Sequence, residues 1–305
     1  MKVLLLGANG QVGHELRRAL APLGEMACAT RGGVLGDGTP CETADFDDPA
    51  SLPALVARVA PDVVVNAAAY TAVDRAETER DAAFRANAEA PLELARACAD
   101  RDALLVHYST DYVFDGTGTR PYREDDPTAP LGVYGASKLA GEQAIQGSGA
   151  RHLILRTAWV YAAHGKNFLL TMLRLAKERD ELRVVADQVG TPTSAALIAD
   201  TTAGLLSQPF RDSGLWHLTA RGQTSWHGFA TAIMEEGAAR GLLDRAPRVV
   251  PIATAEYPTP ARRPAYSCLD TTALVSGFGW QSPTWQSGLS AVLDSLGGPR
   301  TLGPA

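Results

Sequence analysis

The chain of 305 residues carries a formal net charge of −6 at pH 7, and 46% of its residues are hydrophobic and 20% charged. This length allows one large domain, or a main domain with a smaller appendage, and the composition is typical of a folded globular protein. The negative charge argues against nucleic acid or an acidic membrane surface as the main partner. A small anionic ligand needs only local donors, so the charge does not exclude one.

Targeting, membrane-spanning and metal-binding patterns are not evident. The apolar run from Val3 to Leu6 is too short for the core of a signal peptide, and no other run approaches the roughly 20 apolar residues that span a bilayer. The cysteines lack the spacing of metal ligands, so we expect reduced thiols in a cytoplasmic protein and no metal site built from them. These cysteines are Cys28, Cys41, Cys98 and Cys268.

Short apolar runs alternate with helical patterns along the first half of the chain. Because these strands are apolar on both faces, the alternation predicts a parallel sheet with helices on both sides. Right-handed crossovers make such a sheet doubly wound, as in Rossmann folds. The first two predicted strands cover residues 3–6 and 26–30, a third ends at Asp45-Phe46, and the fourth and fifth cover 62–69 and 103–108. The predicted helices cover 11–23, 49–59 and 82–99.

The sheet pattern continues beyond residue 150 and loosens from about Ala220. We expect strands at 152–156, 182–185 and 215–218, and helices at 168–177, 195–206 and 285–296. The five prolines between Pro247 and Pro264 disfavour regular structure there. The predicted fold class is therefore α/β, with a main domain of residues 1–160 that also takes in about 195–220. Residues 161–194 and 221–305 would form a smaller, loop-rich, substrate-binding lobe over the carboxyl edge of the sheet.

A glycine-rich loop follows the first predicted strand and opens the first helix. Glycines at this place let the backbone turn tightly and approach a pyrophosphate, which the helix N-terminal N–H groups can hold. The spacing G-x-x-G-x-x-G is one residue longer than the usual fingerprint, and a tight turn in a ligand-free fold is the alternative. The loop makes residues 1–160 a predicted NAD(P)-binding domain, with the contacts Gly7, Asn9, Gly10, Gln11, Val12 and Gly13.

The ends of the next strands indicate which dinucleotide would bind. The second strand ends in Thr30-Arg31 rather than in a carboxylate, and a guanidinium suits the 2′-phosphate of NADPH. NADPH is therefore the preferred cofactor, although Arg31 could be a solvated loop residue and NADH use stays open. We expect Asp45 and Phe46 at the adenine. After the fourth strand, the small residues Ala67, Ala68 and Ala69 and the adjacent Tyr70 would let a cofactor lie against the backbone, unless they are only a packed strand end.

Tyr134 and Lys138 are four residues apart, so on a helix they share a face. A free phenol has a pKa of about 10, and a nearby ammonium lowers the pKa of the phenol towards the working range of an acid catalyst. Thr110 ends the fifth strand, at the carboxyl edge, where its hydroxyl and the phenol could reach the same carbonyl oxygen. Two such donors are what hydride addition to a ketone needs.

With these motifs the chain resembles the extended short-chain dehydrogenase/reductase family over nearly its full length, and especially its reductases of dTDP-linked 4-keto-6-deoxy sugars. The motif from Tyr257 to Pro264 is much more specific than any glycine loop. The resemblance implies an NAD(P)H-dependent oxidoreductase that converts dTDP-4-dehydro-β-L-rhamnose to dTDP-L-rhamnose. Besides the glycine loop, the similar segments are 66–74, 109–114, 129–131, 133–135, 138–142, 159–162, 171–178, 187–188 and 257–264.

The resemblance also implies roles for individual residues. Tyr134 would donate the proton to the 4-keto oxygen, Lys138 would hold the nicotinamide ribose and lower the tyrosine pKa, and Thr110 would hydrogen-bond the carbonyl. Other residues would bind the substrate: Asp111 and Trp159 at the sugar, and Asn167, Gln188 and Arg263 at the nucleotide diphosphate.

Some properties stay open at this stage. Glu15 matches a position where some family members place a metal at a dimer contact, but the other ligands do not transfer, so a metal is doubtful and the chain would be a monomer or a homodimer. The substrate could be another dTDP-4-keto-6-deoxy sugar. A non-catalytic regulatory subunit of the same fold is a third possibility, although such a subunit has no need of Thr110, Tyr134 and Lys138 together.

Overall fold

A computed structural model describes residues 1–208 and 213–297. Its core is a seven-stranded, fully parallel sheet. The strands are β1 (Lys2–Leu6), β2 (Glu25–Thr30), β3 (Glu42–Thr43), β4 (Val63–Asn66), β5 (Leu104–Thr110), β6 (His152–Thr157), β7 (Val160–Tyr161), β8 (Glu181–Val185), β9 (Val189–Gly190), β10 (Thr193–Ser194), β11 (Gly214–His217), β12 (Thr224–Ser225) and β13 (Arg248–Ile252). The helices are α1 (Gln11–Leu20), α2 (Leu52–Val59), α3 (Val73–Ala76), α4 (Arg80–Phe84), α5 (Ala90–Ala99), α6 (Val133–Gln146), α7 (Phe168–Glu178), α8 (Ala195–Leu206), α9 (Trp226–Ala239), α10 (Thr272–Phe278) and α11 (Trp285–Leu296).

The main sheet has the order β11-β6-β5-β4-β1-β2-β3. Strands β4 and β5 are buried along their whole length, as expected for strands covered on both faces. Helices α1 and α8 cover one face, where Leu16 and Ile198 pack, and α2, α5 and α6 cover the other, where Leu55 and Ile145 pack. The predicted doubly wound α/β fold is confirmed. Its strand order reverses between β1 and β4, and such a point forms a ligand crevice at the carboxyl ends of the strands.

The predicted helix 82–99 contains an irregularity. A five-residue π-helical segment, Arg85–Glu89, separates α4 from α5. Asn87 in this segment is fully buried, and its side chain binds the backbone of Tyr70 and the hydroxyl of Ser137 on α6. Insertions of this kind often occur at functional sites, and here one ties the loop after β4 to the helix that carries Tyr134.

The second lobe contains short strand pairs and the helices α7, α9 and α11, which share a separate apolar core. Strand β8, which we expected to extend the main sheet, instead pairs with β13 inside this lobe. The place beside β6 is occupied by β11. A short apolar run predicts a strand, but not which neighbour the strand pairs with.

The division into two lobes stays a prediction, and α10 complicates it. Although it lies in the range 221–305, its Leu274 and the following Trp280 pack against the core of the main sheet. Residues 298–305 of the proposed lobe lie outside the described part of the chain. Across residues 1–208 and 213–297, none of the helices combines the length and apolar character needed to cross a bilayer.

Candidate active site

A cavity of about 970 Å³ opens over the carboxyl ends of the central strands, where their order reverses. It brings together most of the residues that the sequence singled out. Those that line it are Gly7, Asn9, Gly10, Gln11, Val12, Arg31, Phe46, Ala67, Ala68, Ala69, Tyr70, Thr110, Asp111, Tyr134, Lys138 and Trp159. Five others do not line it: Gly13, Asp45, Asn167, Gln188 and Arg263.

The glycine loop is built as tightly as its spacing suggests. Gly7 has a φ of 77°, and a Cβ there would lie 2.7 Å from the backbone nitrogen of Ala68. A Cβ on Gly13 would lie 2.1 Å from the carbonyl oxygen of Gly7, so Gly13 supports the loop from behind rather than facing the cavity. Gly10 caps α1 without a side-chain hydrogen bond, which leaves the helix N–H groups free for an anion.

Arg31 lies at the end of β2, at the rim of the cavity, beside two carboxylates. Its guanidinium is 3.3 Å from Asp47 and 3.7 Å from Asp45. Asp45, expected at the adenine, therefore faces Arg31 and lies outside the cavity lining, whereas Phe46 lines the cavity. The arginine is exposed, so a phosphate could displace these pairs at little cost, since exposed ion pairs contribute about 1 kcal/mol or less.

Thr110, Tyr134 and Lys138 converge in the cavity. Thr110 ends β5 and its hydroxyl donates to Asp111 at 3.0 Å, while Tyr134 and Lys138 lie on the first two turns of α6. Burial raises the pKa of Tyr134 to about 12, and a hydrogen bond with Thr110 acts against that rise. Burial lowers the pKa of Lys138 to about 8, and the charge of Glu142 acts against that fall.

The structure therefore does not show the expected lowering of the Tyr134 pKa by Lys138. Nζ of Lys138 lies 2.7 Å from the carbonyl oxygen of Tyr108 and 3.1 Å from Nε2 of His107. The amino group of Lys138 is held by β5, and desolvation of the phenol dominates. Tyr134 is consequently protonated at neutral pH, which is the state that a proton donor needs.

A second cavity of about 390 Å³ lies in the smaller lobe, and Gln188 and Arg263 line it. Arg263 binds Asp74 at 2.9 Å, and Gln188 donates to Thr254 at 3.0 Å. Asn167, expected with them, lines neither cavity. It caps α7 instead, and its amide donates to Gln11 at 2.8 Å.

Two tryptophans stand where the cavities meet. Trp159 has a φ of 47°, and its ring stacks on Trp226 with centroids 3.5 Å apart and planes inclined by 3°. Trp226 lines both cavities. The sequence did not identify Trp226 as a site residue, because nothing in its spacing links it to Trp159.

Glu15, the one candidate for a metal contact, lies on α1. Its carboxylate is 3.0 Å from Nε2 of His164. Within residues 1–208 and 213–297, no group of three or more His, Cys, Asp or Glu residues is arranged to hold a metal ion.

A parallel sheet with a glycine loop after β1, a threonine ending β5 and a tyrosine-lysine pair on the following helix defines a dinucleotide-dependent reductase of the extended short-chain class. The family model described as the RmlD substrate binding domain matches residues 1–297. The dTDP-4-dehydrorhamnose reductase of Burkholderia thailandensis is 52% identical, over 97% of this chain and 99% of the relative. That of Escherichia coli K12 is 46% identical, over 97% and 98%.

Solved structures agree. A dTDP-4-dehydrorhamnose reductase from Clostridium acetobutylicum has a TM-score of 0.88 at 36% identity, covering 97% of this chain and 99% of that one. The Bacillus anthracis enzyme, solved in complex with NADP, has a TM-score of 0.86 at 34% identity, covering 96% and 99%. The chain therefore belongs to the dTDP-4-dehydrorhamnose reductase family, which confirms the resemblance seen in its motifs.

Proposed function

We propose that this protein uses NADPH to reduce the 4-keto group of dTDP-4-dehydro-β-L-rhamnose, giving dTDP-L-rhamnose. The observation that carries this proposal is the meeting of Thr110, Tyr134 and Lys138 in one cavity with the glycine loop. Relatives at up to 52% identity carry the name of this activity. The net charge of −6 argues against nucleic-acid and membrane partners, and we propose that the protein acts in the cytoplasm as a monomer or homodimer.

The cavity fits a nicotinamide dinucleotide. The uncapped N-terminus of α1 supplies free N–H groups for the pyrophosphate, and Gly7 and Gly10 keep side chains out of its path. Ala67 and Ala68 provide a flat wall, and Lys138 would reach the nicotinamide ribose. Arg31 favours the 2′-phosphate of NADPH, so NADH is accepted more weakly. Its two carboxylate neighbours limit this preference, because they reduce the local positive charge.

Tyr134 and Thr110 have different roles in the proposed reduction. A bound NADPH supplies the hydride. The Tyr134 hydroxyl, protonated at neutral pH, gives its proton to the oxygen that becomes the new alcohol, and the Thr110 hydroxyl polarises the same carbonyl. In the structure this hydroxyl donates its one proton to Asp111 at 3.0 Å, so it must turn from Asp111 to the carbonyl oxygen when the substrate binds.

The second cavity suits the nucleotide end of the substrate. Arg263 and Gln188 offer donors to a diphosphate, and Trp226 offers an aromatic face at the passage between the cavities. The sugar would then lie beside Trp159, with its C4 carbonyl at Tyr134. Asn167 would support the site indirectly, by joining the start of α7 to Gln11 of the glycine loop.

The Tyr134→Phe variant tests the proposal. Loss of the proton donor should reduce kcat by about 10²–10⁴-fold, with little change in NADPH affinity, in an assay of NADPH oxidation with dTDP-4-keto-L-rhamnose. The matched control is Tyr112→Phe, because the rings of Tyr112 and Tyr134 lie edge-on in the same cavity with centroids 5.6 Å apart. This control variant should keep most of the wild-type activity. A fully active Tyr134→Phe variant would remove the assigned donor.

The same assay, repeated with NADH and with other dTDP-4-keto-6-deoxy sugars, separates the proposed substrate and cofactor from their alternatives. A regulatory subunit would oxidise neither cofactor with any keto sugar.

A further inference from the structure

His107 is a buried ionisable residue with no part in the proposed chemistry. It lies in the middle of β5, is fully buried, and contacts polar side chains through both ring nitrogens. Nδ1 lies 3.0 Å from Nδ2 of Asn66 on β4. Nε2 lies 3.1 Å from Nζ of Lys138 on α6. The ring therefore joins a structural amide to the lysine of the active site.

The amide of Asn66 determines which nitrogen of His107 carries the proton. The backbone N–H of Ala68 donates to Oδ1 of Asn66 at 3.1 Å. This contact leaves Nδ2, which can only donate, facing Nδ1 of His107. Nδ1 must then be an acceptor without a proton. A neutral imidazole with no proton on Nδ1 carries it on Nε2, so an N–H points at Lys138.

An ammonium group has three donors and no acceptor, so it would oppose this N–H at 3.1 Å. A neutral amine has one lone pair and two N–H groups. Its lone pair can accept from Nε2 of His107, one N–H can donate to the carbonyl oxygen of Tyr108 at 2.7 Å, and the other remains for the cavity. Only a neutral amine at Lys138 gives both Nζ contacts, to His107 and to Tyr108, one donor and one acceptor each.

We propose that His107 is a positioning residue that donates its Nε2–H to Nζ of Lys138 and thereby favours the neutral amine form of Lys138 over the ammonium. The burial of both groups acts in the same direction, because it lowers the pKa of Lys138 to about 8 and that of His107 well below its usual value. In this state Lys138 still offers an N–H to a ligand in the cavity.

The other ionisable groups near Lys138 do not reverse this assignment. Glu142, one turn further along α6, favours the ammonium, but its carboxylate is held by Arg156 on β6 at 2.7 and 2.9 Å. Tyr134 on α6 and Tyr108 on β5 both have pKa values raised by burial, so both are uncharged at neutral pH.

The tautomer of His107 tests the proposal directly. In protein labelled with ¹⁵N-histidine, long-range ¹H–¹⁵N correlation should show Nδ1 of His107 unprotonated and unchanged between pH 6 and 9. His152 is an internal control of the opposite kind, because its Nδ1 lies 2.9 Å from the carbonyl oxygen of Ala150 and must carry the proton. The His107→Gln variant assigns the signal by its loss. This measurement does not depend on the proposed function.

The Asn66→Asp variant should reverse the arrangement. A carboxylate can accept from both Ala68 N–H and Nδ1–H of His107, which would turn Nε2 into an acceptor and favour the ammonium form of Lys138. The tautomer should switch, and the inflection of kcat/KM due to Lys138 should move up by about one pH unit; only this kinetic readout rests on the proposed reductase activity. An Nδ1–H tautomer in the wild-type protein, or an inflection that does not move in the variant, overturns the proposal.

Discussion

At the scale of one residue, the buried carboxyl group of Asp111 in the active site lowers the stability of the folded protein at neutral pH. It is 1% exposed, beside Thr110 at the end of β5. Burial raises its pKa to about 6, although hydrogen bonds to the carboxylate oppose the rise. The folded protein therefore holds a carboxylate at neutral pH in a place that disfavours the charge.

This shift predicts how an Asp111→Asn variant behaves with pH. Because the folded-state pKa lies above the unfolded value of 3.8, folding favours the protonated form. Its stabilising effect is complete below pH 3.8 and is lost as the pH rises through 6. The variant should gain up to about 3 kcal/mol in free energy of unfolding at pH 8, and only about 1 kcal/mol at pH 4.5.

Urea denaturation at both pH values measures that difference, with the exposed Asp244→Asn as the matched control. A gain that is the same at pH 4.5 and pH 8 would show that the carboxyl of Asp111 is not held above its usual pKa. Activity should fall in the variant at every pH, since Thr110 loses a charged partner.

Residues of the site differ in how far the sequence predicted them. The sequence predicted Thr110, Tyr134 and Lys138 from local features. Thr110 ends a predicted strand, and Tyr134 and Lys138 have the four-residue spacing of one helix face. The rise in the pKa of Tyr134 was not predicted, since desolvation depends on what packs over the ring. The contact between His107 and Lys138 crosses from β5 to α6, and no local pattern encodes it.

At the scale of the element, the glycine loop and α1 act as one rigid unit. A Cβ on Gly13 would meet Gly7 and Ala8 backbone atoms at 2.1 to 3.0 Å, and backbone cannot move aside as a side chain can. The Gly13→Ala variant should therefore displace the loop, lose about 1–3 kcal/mol of stability and bind NADPH at least about tenfold more weakly.

Isothermal titration with NADPH and thermal denaturation check both effects. Gly277→Ala in α10 is the matched control, because its nearest neighbour would lie at 3.7 Å and alanine favours helix by about 1 kcal/mol. That variant should be as stable as the wild type or more so. Equal NADPH affinity in Gly13→Ala and the wild type would contradict the close packing of the loop.

The sequence predicted best those helices whose bounds follow from the apolar periodicity alone. Helices α8 and α11 begin and end where the pattern predicts, because their apolar faces repeat regularly. The π-helical segment around Asn87 was not predicted, since it depends on hydrogen bonds to Tyr70 and Ser137. The pairing of β8 with β13 joins segments more than sixty residues apart. The sequence of neither segment specifies the strand with which it pairs.

At the scale of the whole molecule, the two cavities are lined mainly by different parts of the chain, and Trp226 lines both. Trp226 and Trp159 stack where these cavities meet. The ion pair of Asp74 and Arg263 joins helix α3 to the segment that lines the second cavity. A substrate that spans both cavities would therefore hold the lobes together, and a ligand for one cavity should bind without the other.

This arrangement predicts separable binding of cofactor and nucleotide. Without NADPH, dTDP should still bind, and in the assay it should compete with the sugar nucleotide but not with NADPH. Arg263→Met should weaken dTDP binding about tenfold or more, because a charge-assisted hydrogen bond is lost, and should leave the Kd of NADPH unchanged. The exposed Arg174→Met, on α7 outside both cavities, should alter neither constant. Competition between dTDP and NADPH would place the nucleotide in the first cavity and contradict the division of the site between the lobes.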